Sequence, residues 1–450
     1  MIRATTGGVL RSYRYNLMNS FITSNKARDT VLSQRNFNTF AEDPASAAKA
    51  FRLRKSRMTV KSQYDICNDT YFKFQTAWQC LESVSLIVDN ETSEYLSTIK
   101  GTNLTMLNDP EGDARTQLAK ALDQISQSVV QTMNQKYGDN FIFAGADGHN
   151  VPFEIKDDGK LYYRGVPVDA AEPKRFTYDG GTDTGAGNNA NYVTVKDAEG
   201  TEYYVSAYSK TISLSKYRDA ERDAEIDPDN FTVPEVLRDD NGDPIMVKDK
   251  EGNDCYILAE SAKLMTDEDV KKAQSDYEKL KYLKNEKLYV DIGLGFQENE
   301  DGQLIASSAF NAALIGIDFF GSGLDDDGDP INIYSLVQRM KEIANSVPED
   351  GRWDEETYDE FFQLVGKMED SAERFHTEFV NMDAGTSKLK SNLSLLEDNF
   401  YNLQEQYANL EDVDMADAIT SFVWAQYCYN AALKVGNSVL SESLMDYLRT

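Results

Sequence analysis

At 450 residues the chain exceeds one compact core, so two to four domains are expected. With 41% hydrophobic residues it can bury those cores, which argues against wholesale disorder. Its net charge of −30 argues against a free nucleic-acid binder. No stretch approaches ~20 apolar residues, so no membrane span is expected, and the opening MIRATTGGVLRSYRYNLMN has no continuous apolar signal core.

Charge is unevenly spread. Residues 1–62 carry twelve Lys/Arg against three Asp/Glu, whereas residues 388–450 carry nine acidic against four basic residues. The basic start reads either as a solvated helix face or as a surface that meets the acidic end in an assembly. Exposed pairs add little energy, so their use there lies in register and partner choice.

Residues 9–35 are helical in composition, with Leu10, Leu17, Phe21, Val31 and Leu32 scattered among Asn, Ser and Arg. That stripe is too thin for a stable isolated helix and needs the C-terminal helix or a neighbouring subunit. A stronger stripe, spaced alternately three and four, runs Val60, Tyr64, Cys67, Tyr71, Phe74, Trp78, Leu81, Ser85, Val88 and weakens through Thr92, Tyr95 and Ile99. A second helix carries Leu118, Leu122, Ile125 and Val129 on one face, and the intervening Asn108-Asp-Pro-Glu-Gly is turn chemistry, so the two are expected to form a hairpin.

The middle reads as β-rich. Alternating apolar residues flank Asp/Asn-Gly turns at 153–163, 192–205, 245–258 and 296–305, which are hairpin signatures. The tract Asp179-Gly-Gly-Thr-Asp-Thr-Gly-Ala-Gly reads as an exposed loop. Thr266 with Asp269 three residues on predicts the N-cap of a helix reaching about Lys284.

The longest stripe follows: Tyr358, Phe361, Val365, Met368, Ala372, Phe375, Phe379, Met382, Thr386, Leu389, Leu393, Leu396, Phe400, Leu403, Tyr407, Leu410. A period of 3.5 sustained this far predicts a helix packed as in a coiled coil. The last segment keeps the period through Ile419, Phe422, Gln426, Tyr429, Leu433, Gly436, Leu440 and Leu444, with Gln426 as a polar seam residue that fixes register. Each fully buried large seam residue contributes roughly 1.5–3 kcal/mol, so this helix needs a partner. The fold class expected is multidomain α+β. A long antiparallel helical bundle is built from both chain ends, and a β-rich outer domain is inserted between them. The segments are 1–45, 46–148, 149–332, 333–411 and 412–450.

Residues with catalytic or ligand chemistry are sparse. Of the two histidines, His376 sits within the long helix and His149 in a loop with no Cys or His nearby in sequence. There is no P-loop and no GxSxG; Gly293-Leu-Gly295 lacks the third glycine of a phosphate loop and reads as a bulge. Asp325, Asp327, Asp329 and Asp239, Asn241, Asp243 alternate as in calcium loops, but Gly328 falls fourth rather than sixth and the twelfth position is Leu336, so both read as solvated turns. No spacing singles out a carboxylate pair for glycoside hydrolysis. Cys67 and Cys80 fall about 20 Å apart on one helix, too far for a disulfide. No enzyme activity, cofactor or metal is expected.

Local motifs carry a resemblance. Glu42-Asp43-Pro44-Ala-Ser-Ala-Ala48 resembles the Asp-Asp-Pro-x-x-Ala segment of flagellins and hook-associated proteins. Phe141-Ile-Phe143-Ala-Gly145, then Pro152-Phe153, is similar to the Tyr-x-Phe-x-Gly…Pro-Phe signature of the hook-associated protein 3 family. Asp412-Val-Asp414-Met415-Ala resembles that family's Asp-x-Asp-Met-Ala, and Ser443-Leu-Met-Asp-Tyr-Leu448 its closing Ser-Leu-Leu-Asp-Phe-Leu. Departures are Gln34-Arg-Asn in place of Ser-x-Gly, Glu42 in place of Asp, and a large middle. The resemblance implies a non-enzymatic subunit of the hook–filament junction in the extracellular flagellum. Such a subunit is exported without a cleaved signal through the flagellar type III apparatus with a cytosolic chaperone. Its partners are copies of itself, hook-associated protein 1 and flagellin, with neither nucleic acid nor membrane. Flagellin itself is the alternative. An enzyme in the middle domain and a cytosolic coiled-coil scaffold are the rivals from other classes.

Overall fold

The computed structural model describes residues 6–87, 113–178, 192–197, 200–227, 232–239, 241–249, 252–293, 295–305, 308–346 and 355–447. The chain is α+β, with long helices contributed from both ends and small antiparallel sheets between them. In order, the helices are α1 (Thr6–Ser33), α2 (Pro44–Leu86), α3 (Asp113–Met133), α4 (Leu214–Ile226), α5 (Asp267–Lys284), α6 (Gly316–Phe320), α7 (Ile333–Asn345), α8 (Glu355–Glu411) and α9 (Met415–Tyr447). The turn at 108–112, the stripe residues Thr92, Tyr95 and Ile99, and the glycine-rich tract lie outside the described residues.

Two compact units are present. The first comprises Met1–Asp69, Asp291–Ser308 and Leu389–Thr450, the second Thr70–Val290 and Ala309–Lys388.

In the first unit, α1 packs along α9. The start of α2 lies against the end of α8. There Arg54 donates to the Tyr407 hydroxyl at 2.8 Å, its guanidinium and that of Arg57 lie over the Tyr407 ring, and the Cys67 thiol faces the Leu389 carbonyl.

In the second unit, α3 packs on α7. Leu118, Leu122, Ile125, Val129 and Met133 are buried from α3, and Leu336, Val337, Met340 and Ile343 from α7. The long stripe on α8 is buried here through Phe361, Val365, Met368, Phe375 and Met382, and Phe379 stacks on Trp78 of α2.

The strands, all in the second unit, are short: β1 (Lys136–Tyr137), β2 (Asn140–Phe141), β3 (Phe153–Ile155), β4 (Leu161–Tyr163), β5 (Val166–Pro167), β6 (Thr194–Lys196), β7 (Glu202–Val205), β8 (Thr211–Ser213), β9 (Met246–Lys248), β10 (Asp254–Ile257), β11 (Leu264–Met265), β12 (Tyr289–Val290) and β13 (Phe310–Asn311). They form sheets β3-β4-β5, β11-β7-β6 and β8-β10-β9, with pairs β1-β2 and β12-β13. Val205, Val247, Cys255 and Ile257 from the second and third sheets share one buried cluster with Phe176, Val193 and Ile245.

The hairpins expected at 153–163, 192–205 and 245–258 form as β3-β4, β6-β7 and β9-β10. At 296–305 a shorter hairpin forms, with a single bridge between Glu298 and Leu304 and hydrogen bonds from the Asn299 and Ile305 N–H groups to the Gln303 and Gln297 carbonyls. One turn recurs: an Asp or Asn carbonyl accepts from the N–H of a Gly three residues on, as at Asp197–Gly200, Asp239–Gly242, Asp249–Gly252, Asn299–Gly302 and Asp325–Gly328. The same Asp or Asn accepts on its side chain from the N–H of the residue after that Gly. Each of these glycines is left-handed, and the side-chain acceptor caps the turn. The predicted capping box on α5 forms between Thr266 and Asp269. Helix α4 was not expected; it is capped by Ser213 and buries only Tyr217.

Candidate assembly surface

Helices α1 and α9 come from opposite ends of the chain and run antiparallel. The Tyr13 hydroxyl lies over Gly436, the Phe21 and Tyr429 rings meet at 5.6 Å, and the Val413 N–H donates to the Gln34 carbonyl. From 415 to 437 the covered positions on α9 are Met415, Ala418, Phe422, Ala425, Tyr429, Ala432 and Gly436; every other position is exposed. Their spacing alternates three and four, which is the 3.5-residue period of a packed seam. On α1 the positions at the same spacing are Tyr13, Leu17, Ser20, Ser24, Ala27 and Val31, all half-buried.

The register sets bulk against a small partner at most positions. Tyr13 meets Gly436, and carrying that offset along both helices sets Leu17 opposite Ala432, Ser20 opposite Tyr429, Ala27 opposite Phe422 and Val31 opposite Ala418, with the small pair Ser24 and Ala425 between them. Alternating large and small residues let two helices approach closely and fix one register.

Part of the expected seam meets α1 within the chain. Phe422, Tyr429 and Gly436 face α1, and Leu17 faces back. Ile419, Gln426 and Leu433, expected between them, are exposed, their places taken by Ala418, Ala425 and Ala432. Gln426 therefore does not set the register of this pair. Phe21 touches Tyr429 at the edge of the seam and stays 43% exposed. The side chains of Leu10, Leu440 and Leu444 lie outside what the structure describes. The missed signal was the run Ala418, Ala425, Ala432, which keeps the same seven-residue spacing as Phe422, Tyr429, Gly436.

The seam leaves most of α9 uncovered. From 415 to 440 only Asp417 and Lys434 carry charge. At 100° per residue, Leu433, Ile419, Val423 and Tyr427 run round one flank to the far side, and Trp424 and Val435 occupy the other flank, all exposed. Tyr15, Met18 and Ile22 are likewise exposed on α1. A helix that is apolar all round belongs in a buried setting.

The loops after α1 and before α9 lock together. Gln34 ends α1 in the left-handed region at φ 59°, donating back to the Thr30 carbonyl. Arg35 pairs with Asp412 in a single bridge, the Asn36 N–H donates to the Glu411 carbonyl, and the Asn36 amide donates to Leu410 and Asp412 carbonyls. The Glu411 carboxylate, 4% exposed, accepts from Arg35 at 2.9 Å and Arg54 at 3.3 Å.

The motif residues turn out to be architectural. Asp43 caps α2, accepting from the Ala45 and Ser46 N–H groups, with Pro44 in the first helical position, where no N–H is needed. Hydrogen bonds from Ser46 foremost hold the Asp43 carboxyl below its ordinary range. Glu42 accepts from the Asn38 N–H. Asp414 caps α9 from Ala416 at 2.8 Å, and Met415 opens the seam.

In the second unit Phe141 is buried, and Phe143 packs edge-on against Phe319 and Phe320 while its carbonyl accepts from the Tyr163 hydroxyl. Gly145 sits at φ 67°, and a Cβ there would stand 2.7 Å from the Glu286 carboxylate, which binds Arg164 and the Ala146 N–H. Only glycine satisfies both constraints.

Of the two acidic turns, 325–329 is not simply solvated. The Lys367 ammonium lies 2.7, 3.2 and 2.5 Å from Asp325, Asp327 and Asp329. Among the described residues no group of His, Cys, Asp and Glu is placed to hold a metal ion, and no helix is long and apolar enough to cross a membrane.

No protein-family profile and no curated protein matches the chain. Among solved structures it is similar to a candidate flagellar hook-associated protein from Vibrio parahaemolyticus, at 8% identity and TM-score 0.44, over 82% of this chain and 100% of that one. It is similar to the flagellar junction protein FlgL from Legionella pneumophila at 13% and 0.33, over 82% and 100%. It is similar to FlgL from Xanthomonas campestris at 13% and 0.33, over 78% and 99%. With TM-scores below 0.5, these likenesses decide neither fold nor function for this chain.

Proposed function

We propose that this chain is a structural, non-enzymatic subunit of the bacterial flagellum, of the hook-associated protein 3 type, which joins the hook to the flagellin filament. The observation that carries the reading is α9: one seam is satisfied by α1, and apolar residues remain open on both flanks and the far side. One added partner helix covers a single stripe, so a simple two-chain coiled coil leaves the rest wet. Neighbours on several sides, as in a tube of subunits, cover all of it.

The seam is also weak on its own. Alanine and serine fill half of it, and a buried methyl-sized group contributes only about 0.8 kcal/mol. A pair this lean folds fully on assembly, in keeping with export of an unfolded chain through the flagellar type III channel and with a chaperone guarding the C-terminal helix. The Phe141-Ile-Phe143-Ala-Gly145 and Pro152-Phe153 segments favour the junction subunit over flagellin. On this reading the chain contacts copies of itself, hook-associated protein 1 and flagellin, outside the cell.

A deletion strain tests the reading. Hooks form, filaments do not stay attached, and flagellin collects in the medium. Normal motility in that strain, with no second copy of the gene, rejects it.

A further inference from the structure

The first unit carries a second open surface whose chemistry is opposite to that of the terminal pair. The loop after α1 and the first turns of α2 enclose a groove of about 670 Å³ lined by Phe37, Phe40, Phe51, Arg35, Arg52 and Arg54. Phe40 in the loop and Phe51 on α2 are 65% and 68% exposed, two large apolar rings open to solvent along the groove. Three arginines line the groove beside a single carboxylate, Glu411, which is taken by Arg35 and Arg54. Among the described residues Arg52 has no acidic partner. Residues 44–62 add Lys49, Lys55, Arg57 and Lys61 and contain no acid.

The matching surface lies on the same unit. No Lys or Arg occurs between Lys390 and Lys434. Within that stretch Leu395, Asp398, Tyr401 and Glu405 recur every three or four residues and so share one face of α8. All four are exposed, Leu395 at 66% and Tyr401 at 60%.

We propose that the groove seats this α8 face of a second copy, with Tyr401 and Leu395 against the phenylalanines and Asp398 and Glu405 against Arg52. The contact cannot close within one chain. Arg54 already meets Tyr407, and Asp398 lies nine residues from Tyr407, about 13 Å along the helix. A groove and a ridge at different places on one molecule make a head-to-tail contact, which repeats into a ring or a helical array. The proposal rests on the polymer reading above and adds which surfaces meet.

The test exchanges cysteines between two populations of full-length chain. One carries Arg52→Cys, the other Asp398→Cys, both with exposed Cys428→Ser and each with its own tag. Both are expressed together in the deletion strain, and isolated flagella are oxidised. A disulfide between the two tagged chains is expected, and none with either population alone. Chain present in flagella without that link, or linked to a different protein, overturns the groove while leaving the junction reading intact. Native tagged chain absent from flagella in the same strain overturns both. Charge exchange gives a second readout. Arg52→Glu and Asp398→Arg each lower incorporation about tenfold, and the double variant restores it. A double variant no better than either single contradicts the contact.

Discussion

The Tyr13 hydroxyl occupies the space that a side chain on residue 436 would need, and residue 436 is glycine. Glycine within a helix costs about 1 kcal/mol relative to alanine, so the sequence accepts a weaker α9 to bring α1 close. Gly436→Leu is expected to expel Tyr13 and cost about 1–3 kcal/mol of packing between the terminal helices. Its signature is a loss of helical ellipticity in the monomer together with failed incorporation into flagella. Incorporation at the native level contradicts this register.

Phe422 and Leu433 separate two functions of α9. Phe422 lies in the seam with α1 and Leu433 outside it. Phe422→Asp places a charge between the helices and is expected to unpair them in the isolated monomer. Leu433→Asp is expected to leave the monomer's circular dichroism unchanged and to block polymerisation alone. Equal effects of the two variants on the monomer contradict the rotated seam.

Much of the helical framework was legible because burial and period agree. Along α8 the expected positions Phe361, Val365, Met368, Phe375, Met382, Leu389 and Leu396 are all buried. On α9 the period was readable but the phase was not. Ranking by apolarity favours Ile419 and Leu433, whereas close approach selects Ala418, Ala425 and Ala432. Helix α4 escaped because its charged sequence buries only Tyr217; the Ser213 cap was its one local sign. Lys367 in the 325–329 turn comes from nearly forty residues away, so nothing local announces it.

That lysine gives a stability prediction. Lys367 is 18% exposed and holds Asp325, Asp327 and Asp329; burial lowers its pKa, but hydrogen bonds and charges from Asp325 and Asp329 outweigh it and raise it overall. Lys367→Met leaves the carboxylates facing one another and is expected to cost about 1–3 kcal/mol, discounted for partial exposure. Thermal unfolding monitored with a probe in the second unit measures it. An unchanged midpoint shows that the turn is held otherwise.

Asp169 sets a pH dependence. Burial pushes its carboxyl up to about 6, against the hydrogen bond from Ser335 and the charge of Lys160. Its Oδ1 has no partner among the described residues. The folded pKa exceeds the unfolded one, so its contribution is full below about pH 4 and is lost as pH rises through 6. Asp169→Asn is expected to exceed the native protein's stability at pH 7.5 by about 1–2 kcal/mol and to match it at pH 4. The same difference at both pH values contradicts this assignment.

The central claim is that the open faces of α1 and α9 are covered by neighbours at the junction of hook and filament. Immunogold electron microscopy of intact flagella, with a tag placed in the exposed turn at 157–159, measures it directly. The account predicts label confined to one band between hook and filament. Label along the whole filament, or none on the flagellum, contradicts it.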